Sequence, residues 1–406
     1  MKKLEMAIAG VAIIALFAGI GAVAPAYSTA TERIERKIIV FNDGVNDEER
    51  ADVLRKVTLE PRAIKRLHRI IEADVVDVSA SEEIRLKRDP RVKRIDDDVI
   101  VSTLSRDEEK TTRSQARNTV TARAQSLPWG IDRIDAELVW PTGNTANPVK
   151  IGIIDTGISK DHPDLKANIK GGINTINSRR GWNDDNGHGS HVAGIVGALN
   201  NAAGVVGAAP DVDLYAIKVL GANGSGYLSD VIEGIQWAAA NGMQVVNMSL
   251  GTSQDVQSLH DAVISAYNAG LVVVTAAGNS GGSVIFPAAY PEVIAVSATD
   301  SNNQIASWSS RGPEIDLAAP GVSIYSTYKG TGYKTLSGTS MASPHVAGSA
   351  ALVLNTLIGV YDANANGKWD PAEVQKKLQD KSVDAGSAGF DTLYGWGLIN
   401  AFGAVQ

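Results

Sequence analysis

A parallel β-sheet flanked by helices, an α/β fold, is what the sequence predicts, with a small ferredoxin-like α+β unit ahead of it. Three observations carry that prediction. Short β-branched runs (KIGIID, DLYAIKVL, QVVNMSL, LVVVTAA, VIAVSA) alternate with helical stretches such as LSDVIEGIQWAAANG and LHDAVISAYNAG. This is the pattern of parallel strands covered on both faces. Further upstream, residues 37–104 read strand, helix, two strands, helix, strand, the ferredoxin-like order. Residues 105–123, SRDEEKTTRSQARNTVTAR, lack apolar periodicity and read as an exposed linker, open to proteolysis.

In chain order, Lys2 and Lys3 precede an apolar run over residues 6–24, and small residues follow in AVAPAYSTA. Residues 1–30 therefore read as a secretory signal peptide, and cleavage after Ser28 or Ala30 fits equally. The run is almost long enough to span a bilayer, so a retained anchor is the alternative to a secreted, extracellular product. Residues 31–104 form the small unit. KIIVFN is its first strand and NDEERADVLRKV its first helix. AIKRLHRI and ADVVDVSA form a hairpin, SEEIRLKRDP a second helix and VKRIDDDVIVSTL the last strand. Residues 124–406, rich in Gly, Ala and Val, form the larger domain. The net charge of −7 argues against a nucleic-acid partner. The absence of cysteine excludes disulfides and cysteine-bound zinc. A secreted chain without cysteine needs other staples, and bound metal is the obvious one.

LSGTSMASPHVAG, residues 336–348, sets Ser340 at the start of an apolar helix with Pro344 in its first turn. A serine there has an ordinary explanation, capping of orphan N–H groups. The rest of the chain supplies a rival. KIGIID ends a strand at Asp155, NDDNGHGSHVAGIVGAL opens a helix near His188, and LVVVTAAGNS ends a strand at Asn279. Sites in such sheets form at the carboxyl ends of the strands. Acyl transfer needs this set of groups. An imidazole takes the serine proton and returns it to the leaving amine, and a carboxylate fixes the imidazole tautomer. Asn279 and the backbone N–H of Ser340 are suitable donors to the oxyanion.

DTGI around Asp155, HGSHVAG from His188 and GTSMASPHVAG around Ser340 resemble the three signatures of the subtilisin-like serine proteases, in the same Asp, His, Ser order. The resemblance runs from about residue 124 to the C-terminus. It implies a subtilisin-like fold, protein and peptide substrates, and a monomeric, calcium-stabilised secreted endopeptidase made as a zymogen. It further implies that Gly224, Ser225 and Gly226 on one side, and Ser249, Leu250 and Gly251 on the other, pair with extended substrate. Gly278 lies at the same cleft, Ile285 narrows its S1 pocket, and Phe286–Pro287 matches a cis peptide of the family. Residues 37–104 resemble the family's prosegment, an intramolecular chaperone and inhibitor. That likeness places autocatalytic cleavage between Leu104 and Ser105, with Leu104 and Val101 in the S1 and S4 pockets. A calcium site is implied from Gln125, Asp164 and Asn201 with carbonyls of Leu199, Ala203 and Val205. A weaker cation site is implied from Asp316 with carbonyls of Ala288, Tyr290 and Val293. A catalytically dead binding protein on this fold and an esterase with the same chemistry are the alternatives. The complete residue set opposes the first. The lack of a GxSxG elbow around Ser340 opposes an α/β-hydrolase esterase.

Two further stretches are rich in Asp, Asn and Gly. Asp184, Asp185 and Asn186 read as a solvated loop, with a cation site the less favoured reading. DANANGKWDPAE, residues 362–373, carries EF-hand spacing. Asp362, Asn364 and Asn366 stand at positions 1, 3 and 5, with Gly367 at 6. Lys368 offers its carbonyl at 7, Asp370 sits at 9, and Glu373 closes at 12. Expected helices VAGSAALVLNTLIGV and PAEVQKKLQD flank it, so a second Ca²⁺ would tie the C-terminal helices together.

Overall fold

The computed structural model describes residues 32–57, 63–67, 71–106 and 124–406. The expected signal peptide and most of the expected linker lie outside these residues. None of the described helices is long and apolar enough to cross a membrane.

The small unit follows its expected order. It runs β1 (Ile34–Phe41), α1 (Asp47–Arg55), β2 (Lys65–Leu67), β3 (Ala73–Ser79), α2 (Ala80–Leu86) and β4 (Val92–Asp97). Its antiparallel sheet has the order β2-β3-β1-β4. Both helices open on a capping box, Asn46 with Glu49 and Ser79 with Glu82. Ile39, Phe41, Val53, Leu54, Val76, Val78 and Leu86 make one core between the sheet and these helices. One expectation fails here. VKRIDDDVIVSTL is not a single strand. It breaks at Asp98 and Val99, and its tail, β5 (Ile100–Thr103), leaves the sheet for the larger domain.

The break is held by hydrogen bonds to the larger domain. Asp98 Oδ1 and Oδ2 accept from Ser229 N–H and Oγ–H, both at 2.8 Å. Asp96 Oδ2 accepts from Ser258 N–H at 3.1 Å and from its hydroxyl. Ser229 and Ser258 are the second residues of α5 (Leu228–Ala240) and α6 (Gln257–Asn268). Neither helix has a side-chain cap of its own. Two carboxylates of the small unit therefore satisfy orphan N–H groups at the positive ends of two helices.

In the larger domain, α3 (Trp129–Arg133) precedes β6 (Lys150–Asp155), β7 (Ile169–Asn174), α4 (His188–Gly197), β8 (Asp213–Lys218) and β9 (Ser225–Tyr227). After α5 come β10 (Val245–Met248), β11 (Leu250–Gly251), α6, β12 (Val272–Ala276), β13 (Ile294–Thr299) and β14 (Leu317–Pro320). The hairpin β15 (Ile324–Thr327) and β16 (Tyr333–Leu336), then α7 (Thr339–Leu354), α8 (Pro371–Asp380) and α9 (Ala401–Val405) complete the chain. The sheet is parallel throughout, with seven strands in the order β14-β13-β12-β10-β6-β8-β7. Every residue of β10, β12 and β13 is buried, as strands covered on both faces require. Helix α7 is buried along its whole length to Val353, which explains its lack of a polar face. It ends at Leu354, short of the expected Val360, and a 3₁₀ turn at Gly359–Tyr361 follows.

Candidate active site

Asp155 closes β6, and its carboxylate meets His188 Nδ1 at 2.8 and 2.9 Å. Nδ1–H therefore donates, and Nε2 is left as the acceptor nitrogen. That Nε2 is buried and has no hydrogen-bond partner among the described residues. A buried nitrogen without a partner is rare and costs stability, so its lone pair is held ready for an incoming donor. His188 opens α4, where Asn186 Oδ1 accepts its N–H at 3.0 Å. Three residues on, burial pushes the His191 imidazole down to about 3, so it stays neutral at working pH. Its Nε2 serves the carbonyls of Ile324 and Lys334.

Ser340 is the second residue of α7, and it does not cap that helix. The N-cap is Gly338, with no side-chain cap bond. The Ser340 hydroxyl instead donates to the Ser249 carbonyl and accepts the Leu104 N–H, both at 3.1 Å. Pro344 lies beyond the first turn, inside the helix, where its missing N–H leaves the carbonyl four residues earlier unbonded. That carbonyl belongs to Ser340, and Ser249 Oγ–H fills the vacancy at 2.8 Å. A helix defect is thus used to tie Ser340 to the cleft wall.

Asn279 follows β12. Its Oδ1 accepts from both the N–H and the hydroxyl of Thr339 at 2.9 Å. This fixes the amide so that Nδ2 donates to the Leu104 carbonyl at 2.5 Å. The Leu104–Ser105 peptide is therefore seated between Asn279 and Ser340. Strand β5 leads into it as the centre of a three-stranded antiparallel sheet, β11-β5-β9. Thr103 faces Leu250, Ser102 faces Gly251 and Ser225, and Val101 faces Gly226. Gly224 and Ser249 add their carbonyls to the N–H groups of Thr103 and Leu104. Beyond the peptide, Arg106 and Ser337 exchange backbone bonds at 2.7 and 3.3 Å. At Gly338, with φ +153°, an added Cβ would stand 2.4 Å from the Leu104 oxygen, so only glycine lets the chain pass. Ile285 packs against Gly251 and Gly278. A Cβ on either glycine would meet its side chain, at 2.6 and 3.3 Å respectively. The Phe286–Pro287 peptide is cis.

The proposed cation loops come together unequally. The carbonyls of Leu199 and Val205 converge on Gln125 Nε2 at 2.7 and 3.2 Å. Beside them the Asp164 carboxylate accepts from Asn201 Nδ2, Val205 N–H and Tyr333 Oη–H. Ala203 bonds Asn201 Oδ1 through its N–H. In the 362–373 stretch, Asp362 accepts from the N–H groups of Asn366 and Gly367, and Asn366 Oδ1 from that of Lys368. Asp370 Oδ2 accepts from Asn364 and Asn366 amides, while Glu373 accepts from Ala363 and Asp370 N–H. Among the described residues no three His, Cys, Asp or Glu side chains gather as a metal cluster; the first loop draws mainly on amide and carbonyl oxygens, whereas the second carries three carboxylates, Asp362, Asp370 and Glu373. Asp316, expected beside the carbonyls of Ala288, Tyr290 and Val293, bonds donors on β13 and α8. Its oxygens accept from Ala295 N–H and from Gln375 and Gln379 of α8, so it anchors that helix. Burial pushes its carboxyl up to about 6.

The reading of Asp184 as part of a solvated loop is also corrected. Asp184 is 2% exposed and accepts five hydrogen bonds. One donor, Thr156, lies 28 residues upstream, and the other four come from residues 186–190, so the sequence showed the turn but not its burial.

A chain with a strand-end carboxylate, a paired imidazole and a helix-start serine is built for acyl transfer. Family comparison agrees: residues 146–397 match the subtilase family, and the chain belongs to it. An alkaline protease of Alkalihalobacillus alcalophilus is 41% identical over 389 residues, covering 93% of each chain. Subtilisin Savinase of Lederbergia lenta is 47% identical over 284 residues, 70% of this chain and all of that one. Alkaline elastase YaB of a Bacillus strain is 38% identical over the full length of both. The chain is a serine endopeptidase of the subtilisin-like α/β fold.

Proposed function

We propose that this chain is a secreted, calcium-stabilised endopeptidase made as a zymogen that cuts itself between Leu104 and Ser105. The observation that carries this is the Leu104 carbonyl on Asn279 Nδ2 with the Leu104 N–H on Ser340 Oγ. Ser340 Oγ exchanges its Ser249 acceptor for His188 Nε2 and attacks the Leu104 carbonyl carbon, and Nε2 takes the proton. The oxygen becomes an oxyanion held by Asn279 Nδ2–H, and Asp155 stabilises the imidazolium. The imidazolium then protonates the Ser105 nitrogen as the C–N bond breaks. Water, deprotonated by the same nitrogen, releases Leu104 from Ser340. Peptide substrates take the place of β5, pairing with residues 224–226 and 249–251 by strand addition. Until it leaves, the 31–104 unit occupies that place and inhibits. Secretion rests on the Lys2–Lys3 and apolar pattern of the first thirty residues.

Calcium fits the first loop by the chemistry of its donors. Two carbonyls, one carboxylate and two amides of neighbouring residues would form a hard-oxygen set once the Gln125 amide turns its oxygen inward. Residues 362–373 offer a second such set. The ion's contribution there is stability, through cross-linking of chain segments. The function is tested with casein and chromogenic peptides, with and without a serine-directed inhibitor, beside Ser340→Ala. Inhibitor-sensitive cleavage absent from Ser340→Ala is expected. Cleavage of equal rate by Ser340→Ala would overturn the reading.

A further inference from the structure

The Asp155–His188 pair is assembled from the end of a strand and the start of a helix 33 residues later, and something must hold those two pieces in register. Thr156 follows Asp155. Its fully buried hydroxyl donates to Asp184 Oδ1 and accepts the Gly189 N–H, each at 2.9 Å. The same Asp184 Oδ1 accepts the N–H groups of Asn186 and Gly187 at 2.9 Å, in the turn that delivers His188. Asp184 Oδ2 accepts the N–H of Ser190 at 3.0 Å and its hydroxyl at 2.6 Å. These lie in the first turn of α4, where a carboxylate is favoured by the helix dipole. From the far side, Lys218 Nζ bridges the Thr156 carbonyl and Asp185 Oδ1, both at 2.7 Å. Every bond in this set joins the chain around Asp155 to the chain around His188, or stiffens one of them. None touches substrate.

We propose that Thr156 and Asp184 are positioning residues that set the His188 ring against Asp155. Asp184 gathers the turn and the first turn of α4 on its two oxygens, and Thr156 locks that assembly to the residue beside Asp155. The inference rests on Asp155 and His188 acting as proposed above, and it makes a separate claim. Loss of the Thr156 hydroxyl leaves four donors on Asp184 and strands only the Gly189 N–H, so Thr156→Val can fold and still lose register. Thr156→Ser keeps the hydroxyl.

The experiment uses the full chain and the matured enzyme, with active sites counted by a serine-directed titrant. Two rates are read. One is self-cleavage of the precursor, where substrate is already seated and binding plays no part. The other is turnover of a chromogenic peptide across pH. Thr156→Val is expected to slow both about tenfold per titrated site with KM little changed, the size of a displaced general base. The acid limb of kcat/KM should move to lower pH, because a slackened Asp155 contact holds the imidazolium less firmly. Substitution of Thr by Val changes no charge, so that movement reports geometry. Thr156→Ser should return to within about twofold of wild type. A Thr156→Val enzyme with fewer titratable sites but wild-type rate per site and an unmoved acid limb would overturn the inference, leaving the clamp purely structural. His188→Ala is the control for the underlying assignment. If it keeps wild-type activity, the triad reading fails, whatever Thr156 does.

Discussion

Two short stretches of this chain look alike in sequence and behave in opposite ways. DDNG at residues 184–187 and DANANG at residues 362–367 are both Asp/Asn turns closed by glycine, and each precedes a helix. Asp184 is buried and collects donors from the strand end, the turn and the helix beyond. Asp362 is half-buried, and its two donors lie four and five residues away in its own loop. The first carboxylate is spent on assembling the polypeptide. Among the described residues the second bonds only backbone N–H groups of its own loop. Composition does not separate these two carboxylates; burial does, together with the one donor, Thr156, that reaches Asp184 from 28 residues upstream.

The comparison can be broken at its strongest point. Asp184→Ala strands five donors in the interior and should cost about 4 kcal/mol in urea unfolding, with activity lost alongside. A loss no larger than that of an exposed Asp would erase the distinction between the two turns. Asp316 provides the next test, because it is buried among neutral donors only. Its carboxyl is raised from 3.8 to about 6 by burial. The folded state therefore holds its proton more tightly than the unfolded state does. The stability this group contributes is full below about pH 4 and is lost as pH rises through about 6, by roughly 3 kcal/mol at its limit. The difference between wild type and Asp316→Asn in denaturant midpoint across pH 4 to 7 should follow that course. A flat difference would remove Asp316 from the account.

The loop side of the comparison carries smaller effects. With calcium at ten times its Kd, a site in residues 362–373 adds about 1.4 kcal/mol. Glu373→Gln should bind one ion fewer by calorimetry and lose that increment in thermal melts. An unchanged ion count and calcium shift would make the loop structural. Without calcium, Asp362→Ala should cost only about 0.5 kcal/mol, since it frees two N–H groups that water can reach.

The parallel sheet was legible because its strands are continuous β-branched runs, and the reactive residues because each sits just after a run or at a helix start. What escaped depended on distant partners. VKRIDDDVIVSTL reads as one strand, yet it breaks where Asp96 and Asp98 meet Ser258 and Ser229, more than 130 residues away. Ser340 carries a capping residue's signature, and only the Ser249 carbonyl and the Leu104 N–H show where its hydroxyl goes. Pro344 reads as a first-turn proline, although the helix begins at Thr339. The helix expected to reach Val360 stops at Leu354, where Thr356 bonds the Val353 carbonyl and Trp369 of the next loop bonds the Thr356 carbonyl.

In the proposed function Ser340 cuts the peptide lying across it. N-terminal sequencing of the earliest product formed by refolded full-length chain tests this most directly, beside Ser340→Ala purified away from other proteases. Wild type should give a new chain beginning at Ser105, and Ser340→Ala should remain whole. A first product beginning at Ala124 with no Ser105 species, or cleavage of Ser340→Ala at the wild-type rate, would contradict it.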